Sequence, residues 1–155
     1  MKRILLTGMS GTGKSSVIGA LRTLGYRAVD MDEPGWSEYG PDGDWRWREA
    51  RVQDLLSSLE DDDTLFLSGC AENQVKFYAQ FDKVILLSAP AEVIGQRLRT
   101  RTNNNYGKHP DEMAETLGYL QTVEPLLRRS ANHEIDTTAP LEDVVQTILH
   151  LLQPE

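Results

Sequence analysis

One stretch near the start of the chain, TGMSGTGKSS at residues 7–16, constrains the fold more strongly than any other feature. Residues 8–15 fit the pattern G-x-x-x-x-G-K-[ST] in full, and the apolar run ILL comes just before them. Glycines in such a loop let the backbone turn its N–H groups towards phosphates, and the following helix directs its positive end to the same place. The stretch therefore predicts a strand, a phosphate-binding loop and a helix, in that order.

Each residue of this loop has a predicted contact with a nucleotide. The ammonium group of Lys14 should reach the β- and γ-phosphates, and the hydroxyl of Ser15 should bind Mg²⁺. The expected cofactors are ATP and Mg²⁺. The predicted nucleotide-binding residues of the loop are Gly8, Met9, Ser10, Gly11, Thr12, Gly13, Lys14, Ser15 and Ser16.

Segments typical of strands and of helices alternate along the rest of the chain. Short apolar runs predict five strands, at residues 3–7, 26–30, 64–68, 83–87 and 133–136. Apolar residues at helical spacing predict helices over 14–24, 45–59 and 91–101, a helix from Pro110 that Pro125 kinks or breaks, and a last helix from Pro140. This alternation predicts one α/β domain over residues 1–155, a three-layer αβα P-loop NTPase fold with a five-stranded parallel sheet.

Between the predicted elements, residues 33–44 are rich in Gly, Pro and Asp and are expected to form a loop. Leu117 and Leu141 are expected on the buried faces of their helices.

Charge and composition exclude several classes of protein. The net charge of −8 over 155 residues argues against a nucleic-acid-binding surface, which requires clustered Lys and Arg. The single cysteine, Cys70, excludes an internal disulfide framework, and no apolar run is long enough to cross a membrane. We therefore expect a cytoplasmic monomer or weak homodimer, with small molecules rather than nucleic acid or membrane as partners.

Two carboxylates follow the second predicted strand, in the segment DMD at residues 30–32. This is the sheet edge at which α/β proteins bind ligands, so Asp30 can support Mg²⁺ and Asp32 can orient an acceptor hydroxyl. The third strand ends in FLSGC without an acid, which leaves Asp30 as the best carboxylate for the metal. The alternative is that both aspartates form turns or cap helices.

Cationic and small residues mark the rest of the candidate site. The segment WRWRE at residues 45–49 can form an anion site walled by aromatic rings, or it can begin an amphipathic helix. Arg97 and Arg101 share a helix face and can contact the transferred phosphate or stack on the base, or they can be solvated. Lys108 can close over the phosphates. The small residues Gly69 and Cys70 at a strand end allow a ligand to approach closely, although a lone cysteine is more often packed than reactive.

Taken together, these motifs resemble the shikimate kinase branch of the small P-loop kinases, which shares its core with adenylate kinase. The resemblance covers nearly the whole chain. The segments that carry it are GMSGTGKSS, DMD, DWRWRE at 44–49, RTNNN at 101–105, and EPLLRR with EIDTTAP between 124 and 140.

The resemblance implies a role for several individual residues. Asp30 would support Mg²⁺, and Asp32 would contact the acceptor hydroxyl as a catalytic residue alongside Lys14 and Arg101. The chain would contain an acceptor-binding segment of about 31–60 and a lid of about 101–112. Arg46, supported by Glu49, and Arg128 would bind the acceptor's anionic group, Arg101 would stack on adenine, and Thr138 to Pro140 would line the adenine pocket.

The chain also departs from this family at two places. A run of three glycines is replaced by Gly69-Cys70-Ala71, and the Arg-Pro-Leu-Leu motif of the lid is replaced by YGKHPDE, in which Lys108 is the candidate cation. The leading expectation is an ATP-dependent kinase that phosphorylates a hydroxyl of a small, anionic acceptor.

Two alternatives stay open. A nucleoside or nucleotide kinase would stack a base on Trp36, Trp45 and Trp47 and read its edge with Asn73 and Gln74. A nucleotide-binding regulatory protein would hydrolyse ATP only weakly and use no acceptor.

Overall fold

The structure, a computed structural model, describes residues 2–102 and 105–153. Residues 103 and 104 of the predicted lid therefore lie outside the described residues. Seven strands occur along the described chain: β1 (Lys2–Thr7), β2 (Arg27–Asp30), β3 (Ser37–Tyr39), β4 (Trp45–Trp47), β5 (Thr64–Ser68), β6 (Lys83–Ser88) and β7 (His133–Asp136).

Five of these strands form a single parallel sheet in the order β2-β5-β1-β6-β7. The predicted five-stranded parallel sheet is therefore confirmed. Because all five strands run the same way, the loop after β1 and the aspartates at the end of β2 meet at one edge.

Six α-helices and a 3₁₀ helix complete the described chain. The α-helices are α1 (Lys14–Thr23), α2 (Glu49–Ser57), α3 (Ala91–Thr100), α4 (Pro110–Thr122), α5 (Glu124–Ser130) and α6 (Leu141–Leu151), and the 3₁₀ helix covers Gln74–Gln80. Pro110 opens α4 in its first turn, as predicted. The predicted break is also confirmed, since α4 ends before Val123 and Pro125 lies in the first turn of α5.

The hydrophobic core lies on both faces of the parallel sheet. Ile4 and Leu6 of β1 pack on one face with residues of α1 and α6, whereas Leu5 packs on the other with residues of α2. Successive side chains of a strand point to opposite faces, so a continuous apolar strand fills two cores at once. The result is the predicted three-layer arrangement.

The prediction of a helix over 45–59 is wrong at its start, because Trp45–Trp47 is strand β4 and α2 begins at Glu49. β4 pairs antiparallel with β3, which lies inside the segment predicted to be a loop, and Gly40 N–H donates to the Asp44 carbonyl at 2.8 Å in the turn. Alternating aromatic residues favour a strand, and Trp47 is buried at 2% exposure against the core. We call β3, β4 and their turn, residues 37–47, the hairpin.

Two apolar residues expected inside are in fact exposed. Leu117 of α4 is 38% exposed, while Thr116 beside it is buried, and α4 packs mainly on α3 and α5. Leu141 is 44% exposed at the start of α6. Among the described residues, no helix is both long and apolar enough to cross a membrane.

Candidate active site

A cleft of about 380 Å³ opens at the edge of the sheet where the phosphate loop lies. The phosphate loop and Asp32 form one end of this cleft. Helix α3 covers it, and the connection from β7 to α6 forms the other end. Its lining residues are Ser10, Gly11, Gly13, Lys14, Ser15, Ser16, Val17, Asp32, Arg97, Thr100, Arg101, Thr137, Ala139, Leu141 and Val144. A second depression of similar size lies on α6 around Gln146 and His150 and contains none of the predicted site residues.

Three glycines determine the shape of the phosphate loop. Gly11 and Gly13 have φ angles of +85° and +93°, in the left-handed region that other residues rarely adopt. Gly8 packs so closely on β6 that a Cβ atom there would overlap the Leu87 carbonyl oxygen. Thr12 Oγ1 donates to the Met9 carbonyl at 2.8 Å and fixes the turn from within.

Lys14 lies in the mouth of this loop and is largely buried. Its ammonium group donates to the carbonyl oxygens of Gly8 at 2.7 Å and Met9 at 2.9 Å. These neutral acceptors are weaker partners for an ammonium group than phosphate oxygens. A nucleotide phosphate is therefore a stronger partner for the Lys14 ammonium group than the loop carbonyls.

The residues predicted to hold magnesium are in contact with one another. Ser15 Oγ donates to Asp30 Oδ2 at 2.7 Å, and the other oxygen of Asp30 accepts the Asp32 N–H at 2.9 Å. No group of three or more His, Cys, Asp or Glu side chains that could hold a metal occurs in the part of the chain that the structure describes. A hydroxyl and one carboxylate fit Mg²⁺, which is commonly bound by one or two protein oxygens together with phosphates and waters.

Asp32 has a partner that the sequence did not predict. The indole N–H of Trp45 donates to Asp32 Oδ1 at 3.1 Å, and the Trp45 ring packs edge-on against Tyr39 at 4.9 Å between centroids. The hairpin therefore orients the carboxylate that faces the cleft. The pattern of the sequence predicts a helix at Trp45, whereas the pairing of β4 with β3 is what brings the indole to Asp32.

Arg97 and Arg101 both line the cleft but have different partners. Arg97 donates to the carbonyl and hydroxyl oxygens of Thr137 at 2.6 and 2.9 Å, and to the Gly11 carbonyl at 3.2 Å. It thus ties the phosphate loop to the segment before α6. Arg101 donates to the Tyr106 carbonyl at 2.6 Å. Burial lowers the pKa of the Arg101 guanidinium, and the charge of Asp32 opposes that shift.

The far end of the cleft is largely apolar and suits a planar base. Thr137 and Ala139 line it among the described residues, together with Leu141. The predicted Thr138 faces away from the cleft, since its N–H and hydroxyl both donate to Asp136 Oδ1, at 2.8 and 2.7 Å. Pro140 caps α6. Residues 137–139 form a turn after β7, and Thr137 and Ala139, rather than the predicted Thr138 and Pro140, line the cleft.

Arg46, predicted to bind an acceptor anion, lies on the hairpin outside the cleft and pairs with a carboxylate. Its Nε lies 3.2 Å from Glu72 Oε2. Glu49, the predicted support of Arg46, instead accepts from Asn73 Nδ2 at 3.0 Å and from Lys76 Nζ at 3.1 Å. These bonds, that from Asn73 first, lower the pKa of Glu49.

Arg128 is also held by carboxylates. Its Nε donates to Glu134 Oε1 at 2.7 Å, and its Nη2 donates to Glu124 Oε1 at 3.0 Å. The hydrogen bonds that Glu134 and then Glu124 accept from Arg128 raise the pKa of its guanidinium. Lys108, the candidate lid cation, is exposed and does not line the cleft among the residues that the structure describes.

Gly69 and Cys70 lie where β5 ends. A Cβ atom on Gly69 would come within 3.0 Å of both Met31 and Trp47, so packing accounts for the glycine. Burial raises the pKa of the Cys70 thiol, with opposing contributions from the charges of Lys14 and Asp32. The thiol is therefore a small packed group near Lys14 and Asp32.

Asn73 and Gln74, proposed readers of a base edge, use their amides within the protein. Asn73 accepts from the N–H of Trp47 and donates to its carbonyl, both at 2.9 Å. The Gln74 amide nitrogen donates to Thr7 and to Tyr78, and its oxygen accepts from Ala71. Both side chains stabilise the hairpin and the end of β5 rather than face a ligand.

A parallel sheet with a glycine-rich loop, a buried lysine and a Ser–Asp pair at one edge defines a P-loop nucleotide-binding protein. A family model described as an AAA domain matches residues 4–118. Shikimate kinase 2 of Serratia proteamaculans is 31% identical, and that of Yersinia enterocolitica 30%; each alignment covers 98% of this chain and 96% of the relative.

The shikimate kinase of Acinetobacter baumannii, solved in complex with shikimate, superposes with a TM-score of 0.69. It is 24% identical, and the alignment covers 98% of this chain and 93% of that structure. The chain therefore belongs to the shikimate kinase-like small P-loop kinases and is a phosphotransferase.

Proposed function

We propose that this protein transfers the γ-phosphoryl group of Mg²⁺-bound ATP to a hydroxyl group of a small-molecule acceptor. One observation carries the proposal: the Asp32 carboxylate lines the same cleft as Lys14 and Arg101 and is oriented by the indole of Trp45. A carboxylate beside two cations suits the activation of a hydroxyl next to a phosphate.

In the proposed reaction, the acceptor oxygen forms a bond to the γ-phosphorus while the bond from that phosphorus to the bridging oxygen of ADP breaks. Asp32 orients the hydroxyl and accepts its proton. Lys14 leaves the carbonyls of the loop and, with Arg101, offsets the negative charge on the transferred group. When bound, Mg²⁺ held by Ser15 and Asp30 would neutralise charge on the phosphates.

The nucleotide side and the acceptor side of the proposed site have separate supports. Adenine would occupy the apolar end of the cleft, where Arg97 secures Thr137. The acceptor would lie between Asp32 and the hairpin, within the segment of about 31–60, and the segment of about 101–112 would act as the lid. The binding of ATP and the use of an acceptor can therefore be tested separately.

The test measures the release of ADP with ATP, Mg²⁺ and a panel of sugars, sugar acids, shikimate, nucleosides, nucleotides and aminoglycosides. Lys14→Ala should lower turnover by about a thousandfold or more, because a cation at the transferred phosphate is lost. Asp32→Asn should lower it by about a hundredfold or more while the Kd for ATP stays near the wild-type value.

Asp54→Asn, an exposed change on α2, is the matched control and should leave turnover intact. Normal turnover of Asp32→Asn would refute the assigned role. Slow ATP hydrolysis that no acceptor accelerates would instead support a nucleotide-binding regulatory protein.

A further inference from the structure

Arg101 is a cation of the cleft whose backbone lies outside any helix. Helix α3 ends at Thr100, and Arg101 follows it with extended backbone angles of φ −66° and ψ 149°. Its side chain lines the cleft together with Lys14 and Asp32. An arginine side chain loses much rotamer freedom when it is held in one place, so a precisely placed guanidinium needs contacts that hold it.

The Tyr106 carbonyl is one group that holds this guanidinium, since it accepts from Arg101 Nη2 at 2.6 Å. This acceptor is neutral, so the bond orients the guanidinium without cancelling its positive charge. Burial lowers the pKa of Arg101 and the charge of Asp32 opposes that shift, as expected for two groups that face one cleft. The oriented charge can therefore act on a phosphate in the cleft.

Tyr106 is fixed in turn through its side chain. Its phenol donates to Glu115 Oε1 at 2.7 Å, which is a charge-assisted hydrogen bond. Burial, and then the bond to Glu115, raise the pKa of Tyr106 to about 12, so the phenol keeps its proton at neutral pH and stays the donor. Because Glu115 belongs to α4, this bond ties the residue that orients Arg101 to a helix.

A second contact with α4 fixes the next residue of the turn. The Gly107 N–H donates to Glu112 Oε1 at 3.2 Å, and Glu112 and Glu115 lie three residues apart on one side of α4. Gly107 has a φ of +92°, and a Cβ atom there would come within 2.9 Å of Leu98 on α3. The turn is therefore held between α3 and α4, which pack on each other.

As an extension of the proposed function, we propose that Tyr106 and Glu115 are positioning residues for phosphoryl transfer. The bond from Tyr106 to Glu115 fixes the Tyr106 carbonyl, and that carbonyl holds the Arg101 guanidinium beside the transferred phosphoryl group. Neither Tyr106 nor Glu115 lines the cleft in the described structure, so their effect on the reaction passes through Arg101. Electrostatic stabilisation depends steeply on where such a charge is held.

Two variants break the bond between the phenol and the carboxylate. Tyr106→Phe keeps the ring and the carbonyl, and Glu115→Ala keeps the phenol. Each should lower kcat by about tenfold while the Kd for ATP stays within about twofold of wild type. ADP release is measured with the panel member that gives the highest wild-type turnover, or with ATP and Mg²⁺ alone if no member accelerates it.

Glu115→Gln is the conservative variant, because its amide oxygen can still accept from the phenol. It should keep kcat within about threefold of wild type. Gln121→Ala, an exposed change on the same helix, is the matched control and should leave kcat unchanged.

A double-mutant cycle separates positioning from a general effect on the fold. Arg101→Ala should lower kcat by about a hundredfold, because a charge at the transferred group is lost. Adding Glu115→Ala to Arg101→Ala should lower kcat no further, since no guanidinium remains to be positioned. A purely structural role of Glu115 would instead reduce kcat by a further tenfold in the double variant.

The outcomes separate this proposal from the proposed function. A further tenfold loss in the double variant, or normal kcat in both Tyr106→Phe and Glu115→Ala, overturns the positioning role and leaves phosphoryl transfer standing. A weaker Kd for ATP with unchanged kcat also overturns it, because Arg101 would then contact the base. Normal kcat in Arg101→Ala removes Arg101 from the proposed mechanism. ADP release that no acceptor accelerates refutes the proposed function itself, while the cycle on ATP hydrolysis still tests the positioning role.

Discussion

Asn73 joins the hairpin to the end of β5, and its removal should destabilise the protein by an amount that the structure allows us to work out. Its side chain accepts from the Trp47 N–H and donates to the Trp47 carbonyl, each at 2.9 Å, and Trp47 is buried. Asn73→Ala leaves both backbone groups without these partners. Each such group costs about 1–3 kcal/mol when it stays buried.

The third bond of Asn73 adds little to this total. It links Nδ2 to Glu49 at 3.0 Å, but Glu49 is part-exposed and keeps Lys76 as a partner. With partial access of water to the space left by the side chain, we expect a loss of about 2–4 kcal/mol in the free energy of unfolding. That loss is a large share of the stability of a typical domain, which is about 5–15 kcal/mol.

Urea unfolding with linear extrapolation measures the effect, provided that the m-value matches the wild type. Asn73→Asp should destabilise the protein at least as much, because it removes the amide donor and puts a carboxylate beside Glu49. Gln53→Ala is the control: it removes an exposed amide that pairs with Gln80, and it should cost less than about 0.5 kcal/mol.

A loss for Asn73→Ala no greater than that for Gln53→Ala would refute the reasoning. The Kd for ATP should also stay close to the wild-type value, because the hydrogen-bond partners of Asn73, Trp47 and Glu49, do not line the cleft in the described structure. A large change in ATP affinity would mean that the hairpin and the nucleotide site are coupled.

The other predictions concern Asp32 and the Arg128 ion pair. Trp45→Phe removes the hydrogen bond to Asp32 but keeps a ring against Tyr39, so kcat/KM for the acceptor should fall about tenfold while the affinity for ATP stays unchanged. Trp36→Phe is the control, because the Trp36 ring lies beside Arg51, and it should leave both quantities unchanged. A loss of ATP affinity in Trp45→Phe would contradict a role confined to Asp32. Arg128 lowers the pKa of Glu134, so the stability from this pair is present above the unfolded pKa near 4.5 and is lost as the pH falls through the lower folded value. The stability gap between wild type and Glu134→Gln, measured by urea unfolding, should therefore be larger at pH 7 than at pH 3, and an equal gap would contradict the linkage.

Much of the nucleotide side could be predicted because its signals are local. Residues 8–15 contain the turn, the cation and the metal-binding hydroxyl within one segment, and the apolar runs of β1, β5 and β6 fill both faces of the sheet. Asp30 could be placed because parallel strands end at a common edge. For these features, spacing along the chain largely determines distance in space.

The acceptor side could not be predicted in the same way. The helical spacing of Val52, Leu55 and Leu56 in α2 suggested a helix that also covered Trp45, whereas the pairing of β4 with β3 decides that region. Pairing energy depends on a partner strand and on burial, which a single-segment pattern does not contain. The bond from Trp45 to Asp32 is a consequence of that pairing.

The sequence by itself determined that this chain binds a triphosphate on a parallel α/β sheet, because the phosphate loop is a local structure whose chemistry is complete within ten residues. Only the tertiary structure decided which carboxylates pair with the arginines predicted to bind an anion. Arg46 and Arg128 resemble anion-binding residues when read along the chain, yet Glu72 and Glu134 reach them through the fold. An ion pair depends on distances between elements, so the charge available to a ligand is a property of the folded molecule.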